Sequence, residues 1–392
     1  MVYNFDELVD RKNTNCEKWD NCEERFGRND LLPLWVADMD FKTPDFIVNA
    51  LKRRLEHEVL GYQIRPASFY HSVENWLRQR GWQTDPGKII FSPGVVSAIN
   101  FAVNVFTNPG DRILINTPVY HPFMYAINNH GRTLVKSPLI NSGNGYYTID
   151  FDDFESKLAT GVKMYIMCSP HNPVGRVWTL DELKKIGELC LKYNVPVISD
   201  EIHSDLIFKP HKHIYFASIS EEIASQTMTF IAPSKTFNIA GLSSSIVYSD
   251  NTVMREKFSK FVNSLSISAG TIFGDIALEA AYTHGDSWLG QLLEYLSGNC
   301  DYVVEYLKKY IPRIKTVKPE GTYLMWLDCS ELNMTSSQMQ EFLVSKAGLA
   351  LNPGHIFGNE GELFVRLNIA TQRAILVKAM DSLRNALDKT DF

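Results

Sequence analysis

The chain has 392 residues, 45% apolar and 21% charged, a length and balance that suit a soluble globular protein with two domains. A formal net charge of -6 argues against binding driven by nucleic-acid phosphates or an anionic membrane, and no apolar run approaches the roughly 18 residues of a spanning helix. Six scattered cysteines without a CxxC pair argue against a metal cluster or disulfide framework; with no basic, apolar leader after Met1, reduced thiols in the cytoplasm are expected.

Residues 1–45 have aromatic and proline punctuation but little periodicity, and are expected to form an N-terminal segment packed on a smaller domain. From about residue 88 to 250, short apolar runs alternate with amphipathic patterns, as in βαβ units. Strands are predicted at 88–91, 112–116, 133–137, 164–168, 195–199, 228–232 and 245–248, and helices at 95–106 and 152–158. Another helix follows Val177, where Thr179 and Glu182 have capping-box spacing and Leu183, Ile186, Cys190 and Tyr193 recur at helical intervals. Residues 272–310 read as mostly helical, with Leu289, Leu292, Leu293, Leu296 and Val303 on an apolar stripe. Beyond them, strands at 322–327 and 363–368 and helices at 336–346 and 373–389 complete the chain. The expected architecture is α/β: a large domain over 46–285, its mostly parallel sheet flanked by helices, and a smaller α/β domain over 286–392.

Open parallel sheets bind ligands beyond the carboxyl ends of their strands, and Tyr120, Asn172, Asp200 and Lys235 each fall just past a predicted strand. An amine able to form a Schiff base, a carboxylate and an amide donor converging on one ring are what pyridoxal phosphate requires. Lys235 would carry the Schiff base and later take the substrate α-proton. Asp200 would keep the pyridine nitrogen protonated, Asn172 would donate to the ring's phenolate oxygen, and Tyr120 would stack on the ring. The turn Ser92–Pro93–Gly94 before a helix would offer the Val95 and Val96 backbone amides to phosphate, with Ser234 as a further donor. Arg366, inside an otherwise apolar strand, needs an anionic partner, for which a substrate α-carboxylate is a candidate. Each residue also has an ordinary structural reading: a surface lysine, a helix N-cap, an Asn–Pro turn, a packed tyrosine, a glycine turn, an internal salt bridge.

Together these stretches resemble the fold-type I pyridoxal phosphate enzymes of the class I/II aminotransferase superfamily. The resemblance rests on Ser169–Pro170–His171–Asn172–Pro173–Val174–Gly175, Asp200–Glu201–Ile202–His203 and Ser234–Lys235–Thr236–Phe237–Asn238. Within it, Leu32–Pro33–Leu34–Trp35–Val36–Ala37–Asp38–Met39–Asp40–Phe41, with Gly61–Tyr62 and Ile202–His203, is similar to the MalY/PatB-type C–S β-lyases. The resemblance implies a homodimer in which Tyr62 reaches the neighbouring subunit's cofactor phosphate. It also implies that Trp35 lines the substrate pocket and that His203 stands where aminotransferases commonly place a tyrosine on the ring oxygen. The chain departs from the aminotransferase pattern at Leu242–Ser243, which lacks the arginine common two residues after the glycine, and at Val174, where threonine is frequent. The activity implied is pyridoxal-phosphate-dependent cleavage of L-cystathionine or related L-cysteine S-conjugates; aminotransfer, or an added regulatory binding role, is the alternative.

Overall fold

The computed structural model describes residues 2–143 and 145–390. Its main sheet has eight strands: β1 (Ile89–Ser92), β2 (Arg112–Thr117), β3 (Thr133–Asn141), β4 (Tyr147–Ile149), β5 (Met164–Cys168), β6 (Val197–Asp200), β7 (Thr227–Ile231) and β8 (Ser245–Tyr248). They lie in the order β1-β8-β7-β6-β5-β2-β3-β4. The run from β7 to β3 is parallel throughout. Strand β8 runs against both β7 and β1, so β1 ends at the same edge as β6 and β7.

Every residue of β5, β6 and β7 is buried. Helices cover both faces of the sheet, which is why β5 reads as a continuous apolar run without alternation. One face packs against the helix Val95–Phe106 through Ala98, Ile99 and Val103. The other packs against Leu180–Lys192 through Leu183, Ile186 and Cys190. The capping box at Thr179 and Glu182 is formed as the spacing predicts.

The α/β class and most predicted elements hold, and the differences have local causes. Strand β4 has three residues, too few to show a period. Strand β6 starts two residues later than expected, so Asp200 is its last residue rather than the first beyond it. The predicted helical run 272–310 is two helices, Ile272–His284 and Asp286–Tyr310, broken at Gly285. A Cβ there would lie 2.2 Å from the Phe237 ring and 2.4 Å from the Ala281 carbonyl oxygen, so only glycine lets the chain turn against the segment bearing Lys235.

A second, antiparallel sheet comprises β9 (Leu324–Asp328), β10 (Asn352–Pro353) and β11 (Phe364–Asn368), with β11 in the middle. Arg366 lies opposite Trp326 on one side and Asn352 on the other. Leu32–Pro33 pairs in parallel with Leu349–Ala350, and the Asp40 amide donates to the Ala370 carbonyl at 2.9 Å. Residues 32–40 are thereby drawn across toward the lysine of the main sheet. No helix among the described residues is long and apolar enough to cross a membrane.

Candidate active site

The carboxyl edge of the main sheet opens into a cavity of about 170 Å³, and Asn172, Asp200, His203, Ser234 and Lys235 all line it. Asn172 comes from the loop after β5, Asp200 ends β6, and Lys235 follows β7 by four residues. The loop after β5 is seated by Gly175, at φ +72°: a Cβ there would lie 2.5 Å from the Pro319 side chain. The Gly175 carbonyl instead accepts from the Glu320 and Gly321 amides, tying this loop to the approach of β9.

Asp200 is buried, and burial pushes its carboxyl up to about 7. The Ile202 amide, donating at 3.1 Å, opposes that rise, neighbouring Glu201 adds to it, and Lys235 opposes it. The carboxylate therefore lacks a strong cationic partner from the protein, as suits a group that meets a protonated ring nitrogen. The Lys235 amine is driven down to about 8 by burial first and by Arg366, against the pull of Asp38 and Asp200. Its Nζ donates to the Ala37 carbonyl at 2.7 Å. His203 is held neutral, its pKa pushed down to about 3 by burial and then by Lys235 and Arg366.

The opposite end of the cavity is the start of the helix Val95–Phe106. Gly94, Val95, Val96 and Ser97 line it, and no side chain caps the helix. First-turn amides without partners form an anion site. Ser243 and Ser244 add hydroxyls where the aminotransferase pattern has arginine, and the Ser244 Oγ is buried without a partner. Lys235 is the only cationic side chain among the described residues lining this cavity. The phosphate's charge would thus be met by backbone amides and hydroxyls.

A larger chamber of about 510 Å³ adjoins the first; Ala37, Tyr120 and Lys235 line both. Trp35 and Arg366 border only the larger one. Arg366 is buried, with Nη1 on the Asn172 Oδ1 at 3.1 Å and Nη2 on the Trp35 carbonyl at 2.9 Å. Its Nε has no partner, and among the described residues no carboxylate pairs with it. Burial draws its pKa down to about 10. A buried guanidinium satisfied only by neutral oxygens is poised for a carboxylate ligand. Asn172 spends the acceptor end of its amide on Arg366, which leaves the donor end for a ring oxygen.

The strap of residues 35–41, whose Ala37 lines both chambers, is held largely by side chains. Asn352 and Arg366 bond the Trp35 carbonyl, Asn368 the Val36 and Asp38 carbonyls, Tyr323 the Ala37 carbonyl, and Asn238 those of Met39 and Phe41. Sequence reasoning found Trp35 but missed Ala37, Tyr323, Ser243 and Ser244. Ala37 acts through its carbonyl, which no side-chain motif reveals. Tyr62 stands apart from the other expected residues: it is fully exposed on the stretch between the helices Asp45–Leu55 and Ala67–Gln79 and lines neither chamber.

The donor set fits pyridoxal phosphate: an amine, a carboxyl and an amide at one end, unfilled helix amides at the other, and an aromatic face, Tyr120, on the wall. Comparison with known proteins agrees. The model of the family "Aminotransferase class I and II" matches residues 29–383. Cystathionine beta-lyase PatB of Bacillus subtilis (strain 168) is 42% identical over 386 residues, 98% of this chain and 100% of that protein. Protein MalY of Escherichia coli (strain K12) is 33% identical over 390 residues, 98% and 99% of the two chains. The crystal structure of cystalysin from Treponema denticola, which contains a pyridoxal 5'-phosphate cofactor, superposes with a TM-score of 0.96 at 39% identity, over 99% of each chain. With the family match spanning both sheets, the chain belongs to the class I and II aminotransferase family, on the side of PatB and MalY.

Proposed function

We propose that the protein is a pyridoxal-phosphate-dependent carbon–sulfur β-lyase that cleaves L-cystathionine or related L-cysteine S-conjugates to a thiol, pyruvate and ammonia. One observation carries the reading: the cavity holding Lys235, Asp200 and Asn172 adjoins, at Lys235, a chamber walled by a buried arginine that has no carboxylate partner among the described residues. PatB, similar over its whole length, is named for this reaction.

Pyridoxal phosphate, when bound, supplies the conjugated ring that takes up the electron pair released at the substrate α-carbon. The chain's own residues do the rest. Lys235 is the attachment point and, once freed, takes the α-proton on Nζ. Asp200 would hold a proton at the ring nitrogen, and Asn172 would donate to the ring oxygen, with the neutral His203 lining the same cavity. Tyr120 would cover the ring, while the Val95 and Val96 amides and the Ser234 hydroxyl would hold the phosphate. Arg366 grips the substrate carboxylate below Trp35, so base, acceptor and leaving group share one geometry.

Incubation with L-cystathionine in the absence of any keto acid tests the reading. Continuous pyruvate release is expected; one stoichiometric half-reaction would make the protein an aminotransferase instead. Arg366→Met, similar in reach but uncharged, is expected to raise KM on the order of a hundredfold while cofactor absorbance is kept. An unchanged KM would remove the carboxylate role.

The active unit is proposed to be a cytoplasmic homodimer, each subunit built as a large domain over 46–285 and a smaller one over 286–392 with residues 1–45 on the latter. Tyr62 would serve the neighbouring subunit's phosphate, a role its exposure in the single chain supports. Mixing an inactive Tyr62 variant with an inactive Lys235 variant should then restore part of the activity through hybrid dimers. No recovery despite demonstrated subunit exchange would rule out a shared site.

A further inference from the structure

The lining of the larger chamber runs from the buried Arg366 to side chains at the protein surface, where polar groups stand among Phe26, Tyr125 and Ile356 and where Glu17 and Arg25 are exposed. Glu17, Arg25, His121 and Gln340 border it there. Two of these side chains keep a buried atom with no hydrogen-bond partner: Oε1 of Gln340 and Nδ1 of His121. His121 is held neutral, its pKa lowered to about 4 by burial, then by Arg366, then by Arg25. Both arginines act on the one imidazole. Arg25 stands 5.8 Å over the Trp35 ring and forms no ion pair among the described residues. Among the described residues the Glu17 carboxylate accepts only from the Asn21 side-chain amide, at 3.2 and 3.3 Å. Opposite charges thus border the same cavity without pairing, and a buried carbonyl oxygen there lacks a donor.

We propose that this outer end is a subsite for a charged, amino-acid-like head on the departing thiol. Arg25 receives its carboxylate, Glu17 and the Gln340 Oε1 receive its ammonium, and His121 lines the same chamber. An alkyl tail in the same place would leave the Gln340 and His121 atoms unsatisfied, and a site built for hydrogen bonds discriminates against a partner that lacks them. The inference rests on the lyase reading and narrows it: thioethers ending in a zwitterion, such as L-cystathionine, are preferred to S-alkyl cysteines.

The test compares L-cystathionine with S-ethyl-L-cysteine on the loaded enzyme, in Arg25→Met, which keeps an apolar stem over Trp35, and in Gln340→Leu. Each variant is expected to lose about tenfold in kcat/KM for L-cystathionine, mainly through KM, with S-ethyl-L-cysteine changed by less than about twofold. Equal losses on both substrates, or no loss on either, would overturn the subsite. Tryptophan fluorescence titration with L-cystathionine gives a second readout. Binding weakened by Arg25→Met in an enzyme that releases no pyruvate would sink the lyase reading and keep the subsite.

Discussion

Replacing Lys235 by alanine is expected to lower pyruvate release by about a thousandfold or more and to remove the visible absorbance of the attached cofactor. In the proposed mechanism the amine is both attachment point and base, and no second amine lines the smaller cavity among the described residues. Its lowered pKa gives the direction with pH. Below about 8 the Nζ is mostly an ammonium and cannot condense with an aldehyde; above 8 it is mostly neutral. Addition of the cofactor to cofactor-free protein should therefore quicken from pH 6 to about 8 and then level off, followed by absorbance in stopped flow. A flat profile, or normal turnover in the alanine variant, would refute the assignment.

Asp200→Asn is expected to have opposite effects on the empty and the loaded protein. The amide can still accept from Ile202, but it cannot hold the ring nitrogen's proton, so turnover should fall about a hundredfold to a thousandfold. In the cofactor-free chain, burial raises the Asp200 carboxyl to about 7, whereas in the unfolded chain it ionises near 3.9. Between those values the folded state binds the extra proton, so this group's contribution to stability falls as pH rises from about 4 to 7. Asparagine escapes that loss. Thermal melts of the cofactor-free variant should exceed those of the parent at pH 8, by an amount on the order of a few kcal/mol, and match them near pH 4. A variant less stable than the parent at pH 8 would mean that Asp200 is ionised and paired in the empty site.

The parts of the fold legible in the sequence are those set by local patterning. Strand β5 and the helix Val95–Phe106 have the predicted limits, because fully buried strands are unbroken apolar runs and Gly94 marks a clear start. The helices Asp45–Leu55, Ala67–Gln79, Pro122–Asn128 and Thr252–Ser264 lie outside the elements predicted from the sequence. At the site, Lys235, Asp200 and Asn172 were legible because their chemistry is rare at strand ends. Ala37 and Tyr323 were not, for they meet only when β9 swings beneath the strap. Gln340 lies on an unremarkable amphipathic helix, and only the packed chamber shows that its amide faces inward.

The strap of residues 35–41 also bears on the order of assembly. Its fastenings to Arg366 and to Asn368 span 331 and 332 positions of sequence. Such closures carry a large loop entropy and wait for β11, so the wall against which Lys235 rests is missing until that strand joins its sheet. A folding intermediate holding the main sheet alone would carry Lys235 without that wall. Burial of the amine therefore arrives late in folding, with contacts that are remote in sequence.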